Sequence, residues 1–231
     1  QQPVTDKLVS VVAEVEHPVT VRVPIGTALS EVVAMAGVTT VKDPVYFVGG
    51  PMMGFIGSGD MPVTKTTNAV LVLPQDHVIV NKKRSKASIG MKRAASICCQ
   101  CHMCTDMCPR FNLGHPIQPH MFMRATSNHD FQDTNPYLNT FFCCSCGVCE
   151  MYACPQSLAP RSLMLEFKGG LRKNGVKPPQ VTAKPVHDGR ELRKVPEERL
   201  MARLGLSRYD KPAPLNDTVA AVKKVTVKLS Q

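Results

Sequence analysis

The sequence has no tryptophan, only 5% aromatic residues, and no apolar run near the roughly 20 residues that span a bilayer. No direct membrane insertion is expected. Nucleic acid is not expected as a partner either, because no aromatic residues interleave with the basic ones. Neither a G-x-G-x-x-G nor a Walker pattern occurs, which removes the common phosphate-cradling loops. The first residues, Gln1-Gln2-Pro3-Val4-Thr5-Asp6, show no initiator methionine and no signal-peptide pattern. The chain therefore reads as a piece of a longer one, trimmed at the front. Cysteine is absent before Cys98 and after Cys154, so a disulfide framework, which would close loops across the whole fold, is a poor description.

What is present starts with enough length, 231 residues, for one large or two small domains with a real core. The formal charge of +10 is concentrated in Lys82-Lys83-Arg84-Ser85-Lys86, Lys92-Arg93 and the stretch after Arg161. It reads as a solvated basic linker or, alternatively, as a docking patch for an acidic redox partner.

The 10 cysteines form two knots that repeat one another. The first is Cys98-Cys99-Gln100-Cys101-His102-Met103-Cys104 with Cys108-Pro109. The second is Cys143-Cys144-Ser145-Cys146-Gly147-Val148-Cys149 with Cys154-Pro155. They reduce to C-x2-C-x2-C-x3-C-P and C-x2-C-x2-C-x4-C-P. Three cysteines at intervals of three wind a short loop around one face of a cubane, so three thiolates reach three irons. The fourth Cys of such a run ligates the other cluster in two-cluster ferredoxins. The proline keeps the preceding Cys out of α geometry and turns the chain toward the neighbouring site.

This predicts two [4Fe–4S] clusters with exchanged fourth ligands: cluster I on Cys98, Cys101, Cys104 and Cys154, cluster II on Cys143, Cys146, Cys149 and Cys108. Since each oxidised cluster with four thiolates carries roughly −2, the two would offset about four units of the positive charge. Structural zinc, usually held by two separated C-x2-C pairs, fits poorly. Cys99 and Cys144 are expected as packed thiols beside the ligands, with replacement of a neighbouring ligand left open. The extra residue before Cys154 leaves the local geometry of the second motif open.

Around the knots, Pro116–Ala125 predicts a helix, Thr126–Pro136 a polar connector, and Ala159–Lys168 a helix burying Leu163, Met164 and Phe167, with Gly169-Gly170 as its stop. In front of them, the Val-rich runs Leu8–Val15 and Val19–Val23, turning at His17-Pro18, predict a β-hairpin. A helix capped by Thr27 and closed at Gly37 follows, then strands at Val45–Val48 and Ala69–Leu73. Hairpin, helix, strands is the order of a β-grasp fold. Gly49-Gly50-Pro51-Met52-Met53-Gly54 reads as a tight turn with positive-φ glycines, or as a surface that meets a flavin, a cobalamin or a partner domain.

The order of β-grasp unit, Gly49–Gly54 loop, Thr67-Asn68, basic stretch and paired motifs resembles the RnfC-type electron-transport subunits. It is most similar to their soluble relatives, the cobalamin reductases of propanediol-utilising bacterial microcompartments. Cys108-Pro109-Arg110-Phe111-Asn112-Leu113-Gly114-His115, Cys149-Glu150-Met151-Tyr152-Ala153-Cys154-Pro155 and Arg199–Leu206 carry the likeness to that soluble branch.

The resemblance implies an α+β protein. Its parts are a β-grasp (SLBB-like) domain over 7–75, a basic linker over 76–93, a helical two-[4Fe–4S] ferredoxin-like domain over 94–178, and an extended segment over 179–231. Within the last, Val222–Leu229 resembles the first strand of a truncated barrel-sandwich domain.

The resemblance also implies electron transfer as part of an NADH- and flavin-linked cobalamin reductase. FMN and NADH would sit in a preceding domain or subunit, and cobalamin or a corrinoid-handling protein would be the acceptor. The setting would be the cytoplasm, inside a microcompartment with its shell protein. The alternatives are an RnfC-like peripheral subunit of a membrane ion pump and a stand-alone carrier or docking module. His17, His102, His115 and His120 are cobalamin-ligand candidates by side-chain type alone.

Overall fold

Alternating valines and one continuous apolar strand build a mixed five-stranded sheet in the computed structural model, which describes residues 3–180 and 184–210. β1 (Asp6–Ala13) and β2 (Val19–Pro24) form the antiparallel hairpin, with Val9 opposite Val21. β3 (Val45–Val48), β4 (Phe55–Gly57) and β5 (Ala69–Leu73) complete the order β2-β1-β5-β3-β4. β5 runs parallel to β1 at the centre, and β3 runs antiparallel to it. First and last strands side by side define the β-grasp topology. β5 reads Ala-Val-Leu-Val-Leu because both faces of a central strand are covered.

One face of the sheet packs Val9, Val11, Val70 and Val72 against Leu29, Val32 and Val33 of α1 (Leu29–Ala34). Thr27 does not cap this helix. Its hydroxyl donates back to the Pro24 carbonyl (2.9 Å), and Ala28 takes the N-cap position. Gly37 lies just beyond, at φ +86. The Gly49–Gly54 segment turns tightly into β4, with Gly49 at φ +94.

The region 76–93, expected as a linker, is helical. α2 (Val78–Arg84) begins at His77, whose Nδ1 accepts from the Ile79 N–H, and α3 (Ala87–Ile97) leads into Cys98. A tripeptide of basic residues masked the apolar pair ahead of it: Ile79 and Val80 are fully buried against the second face of the sheet, with Val45, Phe47, Leu71 and Leu73.

The helices that follow form a separate core around Ile117, Phe122, Met123, Leu163 and Met164. α4 (Met103–Asp106) and α5 (Pro109–Asn112) are single turns. α6 runs over Pro119–Ser127, starting three residues later than expected because Pro119 is its first-turn proline, and α7 (Asn135–Leu138) ends the polar connector. α8 (Pro160–Lys173) continues through Gly169-Gly170, where a side chain would meet nothing within 4 Å, and stops near Gly175 at φ +74.

The region 179–231 is not wholly extended. α9 (Glu197–Leu204) returns to the sheet and, with the turn after it, buries Leu204 and Leu206 there; each such side chain contributes roughly 1.5–3 kcal/mol. His77 Nε2 donates to the Gly205 carbonyl (3.3 Å), and Arg208 pairs with Glu14 just after β1 (2.6 Å). The strand expected at Val222–Leu229 lies outside the described residues.

Candidate metal centres

The two cysteine loops share one backbone plan. Cys98 closes α3 in extended geometry (φ −70, ψ 105), and Cys143 closes a 3-10 turn over Asn139–Phe142 in the same way (φ −65, ψ 121). Two left-handed residues follow in each loop: Gln100 and His102 in the first, Ser145 and Gly147 in the second. These alternate reversals curl the chain, so that successive cysteines face a common centre. Cys108 (φ −74, ψ 116) and Cys154 (φ −72, ψ 115) then leave in matching extended conformations, as their prolines require.

The extra residue of the second motif is absorbed in a π-helical turn over Cys149–Ala153, closed by the Cys154 N–H donating to the Cys149 carbonyl (3.2 Å). A one-residue insertion into a helical turn takes this form. Cys154 therefore exits as Cys108 does.

Two cavities result. The first is lined by Cys98, Cys101, Cys104 and Cys154. The second is lined by Cys143, Cys146, Cys149 and Cys108. Each set of three is thus completed by the cysteine that closes the other motif. Met123 and Leu158 line the first cavity, Ile117 and Met164 the second. Cys108, Cys149 and Cys154 are buried. Hydrogen bonds point at the sulfurs: Gln100 Nε2 donates to Cys98 (3.3 Å), the Ser145 N–H to Cys143 (3.4 Å) and the Leu158 N–H to Cys154 (3.3 Å).

Cys99 and Cys144 also border these cavities, but they are exposed and not packed as expected. A left-handed residue follows each doublet. Two of the four candidate histidines, His102 and His120, meet at the first cavity. His17 is exposed, His115 contacts Arg110 (3.1 Å), and His102 stacks on buried His120 (3.8 Å between ring centroids).

Known proteins share both halves of this arrangement. A 4Fe-4S dicluster domain model matches residues 97–159, and an SLBB domain model matches residues 8–56. Cobalamin reductase PduS of Salmonella typhimurium is 40% identical over 230 residues, 99% of this chain and 51% of that protein. PduS of Citrobacter freundii is 38% identical, across 100% of this chain and 51% of its own length. The chain is a homologue of PduS.

It spans about half the length of these PduS proteins. More distant is a component of the ion-translocating oxidoreductase complex of Yersinia enterocolitica, 30% identical over 48% of the chain and 14% of its own length. The PduS likeness runs through both the sheet and the cysteine loops, whereas the likeness to the ion-translocating complex extends over about half of the chain.

The donor set fits iron–sulfur clusters. Among the described residues, no three His, Cys, Asp or Glu side chains converge on one ion site. The thiols instead gather at two places, each lined by cysteines of both motifs, a donor set suited to a polynuclear group. Burial pushes the Cys104 thiol up to about 12 and the Cys146 thiol up to about 11, and holds Cys149 well above its usual value. Such thiols ionise when a bound metal supplies the opposing charge.

Sequence reasoning missed the cations that hold these loops. Arg161 Nε donates to the Ser145 carbonyl (3.0 Å) and Lys168 Nζ to the Cys143 carbonyl (3.0 Å). Arg203 of α9 donates to the Cys154 carbonyl (2.7 Å). Lys82 donates to the Glu150 carbonyl (3.1 Å) and Lys83 to the Met52 carbonyl (3.1 Å), so two residues of the basic run are half-buried. Burial lowers Lys83 to about 8, with Arg161 nearby adding to the effect. Arg161 and Lys168 lie two helical turns apart on one face of α8, which was the available signal. Buried Glu150 accepts from the Ser162 N–H (2.9 Å) and hydroxyl (2.7 Å), tying the π-helical turn to α8.

Proposed function

We propose that this chain holds two [4Fe–4S] clusters, one on Cys98, Cys101, Cys104 and Cys154 and the other on Cys143, Cys146, Cys149 and Cys108. We propose further that it serves electron transfer within an NADH- and flavin-linked cobalamin reductase. Two cavities, each lined by the three spaced cysteines of one motif and the closing cysteine of the other, support the ligand assignment. When bound, such a cluster supplies reversible one-electron chemistry at a potential set by its surroundings.

The protein residues perform three tasks around it. The thiolates hold the irons. Met123, Leu158, Ile117 and Met164 exclude water from the inner walls. Arg161, Lys168 and Arg203 fix the loop carbonyls and place positive charge near the anionic centres. The flavin donor, NADH, cobalamin as acceptor, and packaging with a shell protein inside a cytoplasmic microcompartment follow the PduS likeness. That likeness covers 99% of the chain, against 48% to 56% for two proteins of the ion-translocating complex, and so favours the reductase over an ion-pump component. No helix among the described residues is long and apolar enough to cross a membrane.

Anaerobic iron and sulfide quantification with EPR after dithionite reduction tests the assignment. About eight irons per chain and a coupled two-cluster signal are expected. Stoichiometric zinc without visible absorbance would overturn it. For the reductase, corrinoid reduction by the chain with an artificial electron donor is expected, and its absence would leave a carrier role.

A further inference from the structure

The basic stretch divides in the structure. Lys82 and Lys83 turn inward to backbone carbonyls, whereas Lys92 and Arg93 stay exposed on α3. Ala87, Met91 and Ala94 pack α3 into the helical core, and Gly90 lets it lie close to Leu163. The opposite face carries Ile89, Lys92, Arg93, Ser96 and Ile97, at the spacing of one helical stripe. All five are exposed, Ile89 at 51% and Ile97 at 40%. The sequence holds no acidic residue between Asp76 and Asp106, so the stripe carries charge of one sign. Asp106 itself pairs with Arg193 (3.6 Å).

The stripe runs into the first cysteine loop. Of the assigned ligands, Cys101 alone is exposed, and Met103 beside it is 38% exposed. Exposed His102 stacks on buried His120, and both line the first cavity. The second loop instead lies against the Met52 carbonyl and is held by Arg161 and Lys168. A protein seated on α3 therefore meets the first cavity at its rim. Apolar side chains among cations suit a small, transient interface with an acidic protein, which the charge steers into place.

We propose that the α3 stripe and the mouth of the first loop form the docking surface for an acidic one-electron redox protein, with the first cluster as the port of exchange. The inference rests on the two-cluster assignment. In the exchange one electron leaves the reduced first cluster and enters the redox centre of the docked protein. No bond forms or breaks, and no proton moves.

The test uses the chain purified anaerobically, reduced with dithionite and freed of excess reductant. The probes are two forms of oxidised cytochrome c with the same haem: the basic native protein, and the protein made acidic by succinylation of its lysines. Haem absorbance reports the rate. At low salt the acidic form is expected to accept electrons faster than the native one, and added salt should erase the difference. Lys92→Glu with Arg93→Glu should slow transfer to the acidic form about 10-fold and speed transfer to the native form. Lys42→Glu with Lys65→Glu, an equal change of net charge at exposed positions of the sheet domain, should leave the preference in place.

Equal rates for the two forms at low salt would overturn the proposal, and this arm needs no variant. So would an equal loss from the Lys42 and Lys65 pair, which would assign the preference to net charge alone. Iron content measured on the same samples separates the two levels of inference. With about eight irons bound, a failure falls on the docking surface; with none, it falls on the cluster assignment.

Discussion

The two cysteine loops have nearly the same backbone but very different surroundings. The first lies open at its mouth: Cys99, Cys101, His102 and Met103 are all exposed. The second is pressed against the sheet domain, so closely that a Cβ on Gly147 would sit 2.8 Å from the Met52 carbonyl oxygen. It is also gripped by Arg161 and Lys168 from α8. The first loop is gripped indirectly, through Arg203 of α9 at Cys154. Two copies of one local device thus become unequal through what packs on them. Iron–sulfur potentials depend on charge, hydrogen bonding and exposure, so the two sites are expected to differ in potential.

The largest effect should come from crossing the repeat. Cys108→Ala is expected to remove the cluster held by Cys143, Cys146 and Cys149, leaving the other intact, with loss of about four irons and of one EPR component. Loss confined to the set of Cys98, Cys101 and Cys104 would contradict the exchanged assignment.

Next is Gly147→Ala. A left-handed alanine with its Cβ against a carbonyl oxygen should destabilise the second loop by about 1–3 kcal/mol, seen as a lower denaturant midpoint. His102 at the matching position of the first loop already carries a side chain at φ 65. His102→Gly should therefore be neutral or slightly stabilising. Equal responses at the two positions would remove the packing difference between the loops.

A smaller effect is expected from Lys168→Met. Removing a cation beside the Cys143 carbonyl should move the potential of the second-loop cluster in the negative direction and leave the first unchanged, measured by EPR-monitored redox titration. A shift of both, or of neither, would break the asymmetry.

The smallest effect concerns pH and the α9 grip. Burial lowers the His77 pKa below its usual 6.5, so the folded protein binds fewer protons than the unfolded chain. Its stability contribution is complete above 6.5 and declines as pH falls through the folded pKa. Thermal melts should show this decline, and His77→Asn, which retains a capping side chain, should flatten it.

Much of the fold was legible because its signals are local. Valine alternation marked β1 and β2, and the Ala69–Leu73 run marked a strand buried on both faces. The misreadings fell where tertiary contacts override composition. Lys82-Lys83-Arg84 suggested a solvated linker, yet Ile79 and Val80 just ahead of it anchor α2 in the core, and Lys82 and Lys83 turn inward to backbone carbonyls. Gly169-Gly170 suggested a helix stop, but α8 has hydrogen-bonding and packing partners enough to continue through both. α9 was missed because its apolar positions gain meaning only from a sheet face far earlier in the chain.

What the sequence determined by itself was the chemistry: cysteines at intervals of three and a proline after each last one dictate loops of a given curl and exit direction, through interactions spanning a few residues. Only the tertiary structure decided which loop is open and which is covered, which cations hold them, and that Cys99 and Cys144 stay exposed. Those outcomes depend on surfaces brought together from α8, α9 and the sheet, which no local spacing encodes.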